Sequence, residues 1–263
     1  MSIRLNKIRL NTGISLNYVE SGNPDGNPVL FIHGFPDSWN SFRLVLNRLD
    51  PKFHAFSVDL RGFGDSDRPA SGYTITDFAK DAVEFLDSLK LKKTVIVGHS
   101  MGSFIAQTIA LRFPERVDKL VLIGSAASAW KNPVIDEVLS EVNKLKDPID
   151  KDFVTEFQKG TIHGDVSVDF FNSVISESLK APAFVWKQSL TGLAYENHQN
   201  ELGGIKQPAL IVWGAYDSIF TMGDQTNLLS ALPRAALKVY KNSGHSPNWD
   251  NAVELTKDLE EFF

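Results

Sequence analysis

Apolar runs of strand length recur along this chain as Val29–Ile32, Ala55–Val58, Thr94–Val97, Leu120–Ile123, Ala209–Trp213 and Leu237–Tyr240, with helix-length segments between most of them. Most of these runs are apolar throughout rather than alternating, the pattern of strands covered on both faces. Parallel neighbours need a crossover, which the intervening helices supply. In Thr74–Leu89 the residues Ile75, Phe78, Ala79, Ala82, Phe85, Leu86 and Leu89 recur at three- and four-residue spacing, and Thr74 with Asp77 forms a capping-box pattern. At the start, Ile8–Leu10 and Ile14–Val19 flank Asn11-Thr12-Gly13, which reads as an antiparallel hairpin on a sheet edge. These patterns predict an α/β protein with a mixed, mostly parallel twisted sheet and helices on both faces.

The alternation breaks after Gly124 and resumes at Pro208. Helical segments are expected around 133–145, 150–159, 166–179 and 184–193, and no strand fits there. Because the interval lies between two strands of one sheet, it is expected to be an insertion that covers the sheet's C-terminal edge. The expected organisation is a core of residues 1–126 and 207–263 with a helical cap of residues 127–206. No internal repeat, low-complexity tract or long linker is visible.

Lys+Arg 27 against Asp+Glu 32 gives a net charge of −5 without a basic stripe, which argues against nucleic acid or an anionic membrane as partner. The absence of cysteine removes disulfides, thiolate metal sites and a cysteine nucleophile. Met1–Thr12 alternates polar and apolar residues, unlike a signal peptide or anchor. A soluble, cytoplasmic monomer or homodimer acting on a small molecule is expected.

Gly98-His99-Ser100-Met101-Gly102 follows the run Thr94–Val97 and opens the helical stretch 101–113. A serine on such a strand-turn-helix junction projects its hydroxyl into a cleft, provided that small neighbours let strand and helix pass closely. The hydroxyl is a poor nucleophile until a histidine accepts its proton and a carboxylate fixes that histidine's tautomer. His245 stands just beyond the last strand and Asp217 just beyond the penultimate one, so the order Ser100, Asp217, His245 places each partner after its own strand. An oxyanion formed at Ser100 needs donors, for which the backbone N–H groups of Met101 and Phe35 are the candidates. Phe35 lies in His33-Gly34-Phe35-Pro36 directly after a strand, and its crowded turn suggests a cis Phe35–Pro36 bond. His33 and the cap aromatics Trp130, Phe184 and Trp186 are candidates for the substrate pocket.

His33–Pro36, Asp59-Leu60-Arg61-Gly62-Phe63-Gly64-Asp65-Ser66, Gly98–Gly102, Trp213-Gly214 to Asp217 and Ser243-Gly244-His245 resemble the successive motifs of the α/β-hydrolase superfamily. The likeness spans nearly the whole chain outside the cap and implies the α/β-hydrolase fold with a Ser-His-Asp triad. The first two blocks also resemble epoxide hydrolases and haloalkane dehalogenases, but those families place an aspartate where this chain has Ser100. After His245 such families often show an acidic residue, one further residue and a proline, whereas Asp250 is followed by Asn251-Ala252. Residues 181–187 resemble cap segments of small carboxylesterases and acyl-homoserine-lactone lactonases. The resemblance implies a serine hydrolase of carboxylic esters or lactones. C–C bond hydrolase and perhydrolase chemistry, or a non-catalytic ligand receptor on the same fold, are the alternatives.

Asp59 is expected to fix a loop by pairing with backbone or with Arg61, and His99 to pack behind the nucleophile. Gly62-Phe63-Gly64 lacks the third glycine and following helix of a dinucleotide turn. No two histidines stand three to five residues apart, so no metal and no cofactor are assigned.

Overall fold

The computed structural model describes residues 3–263. The first two residues of the alternating N-terminal segment lie outside it. An eight-stranded sheet runs through the molecule: β1 (Arg4–Arg9), β2 (Ser15–Gly22), β3 (Pro28–Ile32), β4 (His54–Val58), β5 (Thr94–His99), β6 (Val117–Ile123), β7 (Ala209–Gly214) and β8 (Ala235–Tyr240). Their spatial order is β1-β2-β4-β3-β5-β6-β7-β8. β1 and β2 form the expected edge hairpin, β2 meets β4 antiparallel, and every later pairing is parallel.

The apolar runs have a direct structural cause. Along β5 the side chains of Val95 and Val97 enter one core layer with Phe31, Phe42, Val121, Leu255 and Leu259. Ile96, between them, enters the other with Phe78, Phe104, Ile109 and Leu122. Successive side chains point to opposite faces, so a strand covered on both sides cannot alternate in polarity.

The helices are α1 (Arg43–Leu46), α2 (Ile75–Ser88), α3 (Met101–Arg112), α4 (Pro133–Val142), α5 (Lys151–Lys159), α6 (Val168–Ser178), α7 (Ala183–Ala194), α8 (Met222–Ala231), α9 (Pro247–Asp250) and α10 (Ala252–Phe262). α2 begins in the expected capping box, with the Thr74 hydroxyl accepting from Asp77 N–H and the Asp77 carboxylate from Thr74 N–H. Such a cap satisfies two amides that the first turn leaves unpaired.

α4 to α7 all lie between β6 and β7. The chain enters and leaves this segment side by side: Ala129 N–H donates to Glu196 O, His198 N–H donates to Ala127 O, and Ser128 and Asn197 form a single antiparallel bridge. Trp186 of α7 joins the segment to the sheet. It is fully buried, with its ring 5.0 Å from Phe35, 5.8 Å from Phe157 and 6.0 Å from Phe153. Among the described residues, no helix is long and apolar enough to cross a membrane.

Candidate active site

Ser100 occupies the junction of β5 and α3 with φ 52° and ψ −120°. A non-glycine residue in such a region costs on the order of 1–3 kcal/mol and persists only where its surroundings over-determine it. Here the backbone is gripped on both sides: Ser100 N–H donates to Ile123 O at 2.9 Å, and Ser103 N–H donates to Ser100 O at 2.8 Å. The glycines of the motif are required by distance. A Cβ on Gly98 would stand 2.2 Å from Gly102 O, and one on Gly102 would stand 2.2 Å from Ile32 O.

The loops after β7 and β8 bring Asp217 and His245 together at the same edge. His245 Nδ1 lies 2.8 Å from Asp217 Oδ2, and both side chains are buried. Asp217 is fixed in turn, its Oδ1 accepting from the N–H groups of Ile219 (2.8 Å) and Phe220 (3.0 Å). With Nδ1–H donated to the carboxylate, Nε2 of a neutral ring is left as the acceptor. Nε2 has no protein partner and is buried, and His245 lines one cavity with Ser100. His99 lies behind this pair: its Nε2–H donates to His245 O at 3.0 Å, and burial pushes its pKa down to about 3.

The His245 loop has an anchor in Asp250. One carboxylate oxygen accepts from Ser243 Oγ–H, while the other accepts from the N–H groups of Gly244, His163 and Gly164. The departure from the family spacing after His245 therefore still leaves an acid tied to this loop. Asp59 does hold backbone, accepting from Trp39 and Asp65 N–H and from Asn17 Nδ2–H. Arg61, expected as its other partner, instead forms a two-bond pair with Asp81 at 2.6 Å each. Asp81 stands on the apolar face of α2 between Phe78 and Phe85, and a carboxylate in that position was the visible sign that a cation must reach it.

The cavity is lined by both apolar and polar side chains. Val134, Ile135, Val138, Leu190, Leu193 and Phe220 form an apolar wall, whereas Asp37, Gln158, Thr161 and Ser246 form a polar one. Among the described residues, no lysine or arginine lines it. Of the expected pocket residues, none touches this space. His33 is completely buried; its Nδ1–H donates to Gly34 O at 2.7 Å, its Nε2 accepts from Leu60 N–H at 3.0 Å, and burial lowers its pKa to about 4. It shapes the Gly34–Phe35 turn from behind. Trp130 is 48 % exposed and lines a separate groove, with Lys131 Nζ 4.2 Å from its ring centre. Phe184 lies outward against Tyr73 at 6.2 Å. Trp186 supports Phe35 and Phe157, which line the cavity, but does not line it itself. The Phe35–Pro36 bond is cis.

Sequence reasoning missed Asp37, although it stands two residues beyond Phe35. Its carboxyl is buried, with Oδ1 accepting from Gln158 Nε2–H (2.9 Å) and Oδ2 from Ser41 Oγ–H (3.2 Å). Burial outweighs these bonds and the nearby His245, and raises its pKa to about 7. No group of three or more His, Cys, Asp or Glu suited to a metal occurs among the described residues.

This geometry accords with comparisons to known proteins. Residues 27–160 and 168–252 match a family model described as the alpha/beta hydrolase fold. A 2-hydroxymuconate semialdehyde hydrolase of Pseudomonas sp. (strain CF600) is 29 % identical over 266 residues, covering 95 % of this chain and 90 % of the relative. An epoxide hydrolase of Caenorhabditis elegans is 24 % identical over 297 residues, covering 99 % of this chain and 69 % of that protein. Among solved structures, an esterase from Exiguobacterium antarcticum superposes with a TM-score of 0.89 at 25 % identity, with 98 % of each chain covered. The strand order, the serine at the β5–α3 junction and a family match across most of the sequence lead to one assignment: this chain belongs to the α/β hydrolase fold family, a family of enzymes.

Proposed function

We propose that the protein is a serine hydrolase of neutral carboxylic esters or lactones, with Ser100 as nucleophile, His245 as general base and acid, and Asp217 as the group that orients His245. The observation that carries this reading is Ser100 at a strained, gripped turn in the same cavity as the free Nε2 of an Asp217-bound His245. Ser100 Oγ attacks the carbonyl carbon while His245 Nε2 takes its proton. The C–O bond to the alcohol then breaks, and His245 delivers that proton to the departing oxygen. Water repeats the sequence on the acyl enzyme and releases the acid.

The charge on the carbonyl oxygen falls to the N–H groups of Met101, at the first turn of α3, and Phe35. Each such donor lowers the barrier by about 3 kcal/mol. An apolar acyl group fits the wall of Val134, Ile135, Val138, Leu190, Leu193 and Phe220. Residues 127–206 act as the cap that supplies most of that wall.

A muconate is by its name a carboxylate, and a buried cavity that no lysine or arginine lines among the described residues gives a carboxylate no cationic partner. The ester reading is therefore favoured over C–C hydrolysis of such an acid. Serine instead of a carboxylate at position 100 likewise sets this chain apart from the epoxide hydrolase pattern. Ser100→Ala is expected to lower kcat on p-nitrophenyl butanoate by several orders of magnitude. It should also abolish the stoichiometric fluorophosphonate labelling expected of the native protein; turnover that survives the substitution would refute the mechanism.

A further inference from the structure

The cavity around Ser100 is divided by chemistry. Its polar wall contains more hydrogen-bonding capacity than the protein itself uses. Ser246 has no exposed surface, and its Oγ has no partner. The Asp37 carboxyl accepts one bond on each oxygen, which leaves further lone pairs, or an acid proton, for the space in front of it. Burial raises that carboxyl's pKa to about 7, so below neutral pH it offers a ligand a hydrogen bond rather than a charge. Buried groups of this kind are normally satisfied, and those that are not point to a partner absent from the protein.

The position of this wall indicates which half of a substrate it meets. His245 Nε2 must deliver its proton to the departing alcohol oxygen, so the alcohol half lies beside His245. Ser246 follows His245 directly in the chain, and both line the same cavity as Asp37. Gln158, from α5, holds Asp37 Oδ1 and thereby fixes the wall from the cap side.

We propose that Asp37, Gln158 and Ser246 form a subsite for a hydroxyl group on the leaving alcohol, which makes partial esters of small polyhydric alcohols the preferred substrates over esters of plain alkanols. A hydroxyl donates to one of these groups while accepting from another, which an alkyl group cannot do. A site built to bond a hydroxyl rejects the isostere that lacks it, because the site's own polar groups are then left buried and unpaired. This inference rests on the ester-hydrolase reading above.

The test compares 2-hydroxyethyl butanoate with propyl butanoate, which share an acyl enzyme and differ only in a terminal hydroxyl against a methyl group. Their kcat/KM ratio therefore reports acylation alone. Native protein should favour the hydroxyethyl ester by tenfold or more, and Ser246→Ala should bring the ratio close to one. Asp37→Asn, which keeps hydrogen-bonding groups at that position, should retain most of the preference, whereas Asp37→Leu should lose it. Equal rates for the two esters in the native protein, or an unchanged ratio in Ser246→Ala, would overturn the subsite, as would a stronger preference for butanoylcholine. Binding of both esters to Ser100→Ala, followed through the cavity residue Trp249 by fluorescence, separates the two claims. A hydroxyl preference in Kd without turnover by native protein keeps the subsite and removes the ester-hydrolase reading, while turnover without any preference does the reverse.

Discussion

Four buried ionisable side chains near the candidate site tilt stability against pH in opposite senses. His33 and His99 have pKa values lowered to about 4 and about 3, so between there and 6.5 the unfolded chain binds protons that the folded one does not. Their contribution to stability is lost as pH falls through that range. Asp37 and Asp59 are raised to about 7 and about 6, so the folded state holds protons that the unfolded state has released above 3.8. Their contribution is lost as pH rises through these values. The two pairs oppose each other between about pH 4 and 6, which makes the wild-type curve an insensitive readout. A difference isolates one group: Asp37→Asn should gain stability relative to wild type by a few kcal/mol as pH rises from 4 to 8, measured by denaturant unfolding at each pH. A constant gap between the two proteins would show that Asp37 titrates normally. Asp250 permits a second measurement at this scale. Asp250→Ala removes the acceptor for Ser243, Gly244, His163 and Gly164, and should lower both unfolding free energy, by about 2 kcal/mol, and kcat, by tenfold or more. Unchanged kcat would mean that His245 is held without it.

Local pattern decided most of the elements, and long-range contact decided what faces the cleft. The capping box of α2, the hairpin at residues 8–19 and the apolar strands were legible because each depends on neighbours a few residues apart. The aromatic residues of the insertion were not. Trp130, Phe184 and Trp186 lie on segments whose inward side depends on how α4 and α7 dock, and they end respectively in an outer groove, against Tyr73 and beneath Phe35. The Asp37–Gln158 contact joins residues 121 positions apart, so no periodicity could signal it. Trp186 tests the docking itself. Trp186→Ala should cost about 3–5 kcal/mol in urea unfolding, as truncating a fully buried ring does. Trp186→Phe should cost much less, because it keeps most of the volume and removes an indole N–H that is buried without a partner. Equal losses in the two variants would mean that the ring's bulk is not what joins α7 to the sheet.

At the scale of the molecule, the order of motifs along the chain was enough to bring Asp217 and His245 together, because parallel strands deliver each following loop to one edge of the sheet. What the order could not supply is how the segment between β6 and β7 engages that edge. Hydrogen bonds cross from one to the other: Ser246 N–H donates to Thr161 O at 3.0 Å, in addition to the His163 and Gly164 N–H groups that donate to Asp250. The chain on either side of the candidate base is thus laced to the turn after α5. For protein engineering, residues 127–206 are consequently not an interchangeable cassette. A graft that replaces them with another family member's insertion breaks the support of the His245 loop unless residues 161–164 travel with Ser246 and Asp250 as one inherited unit.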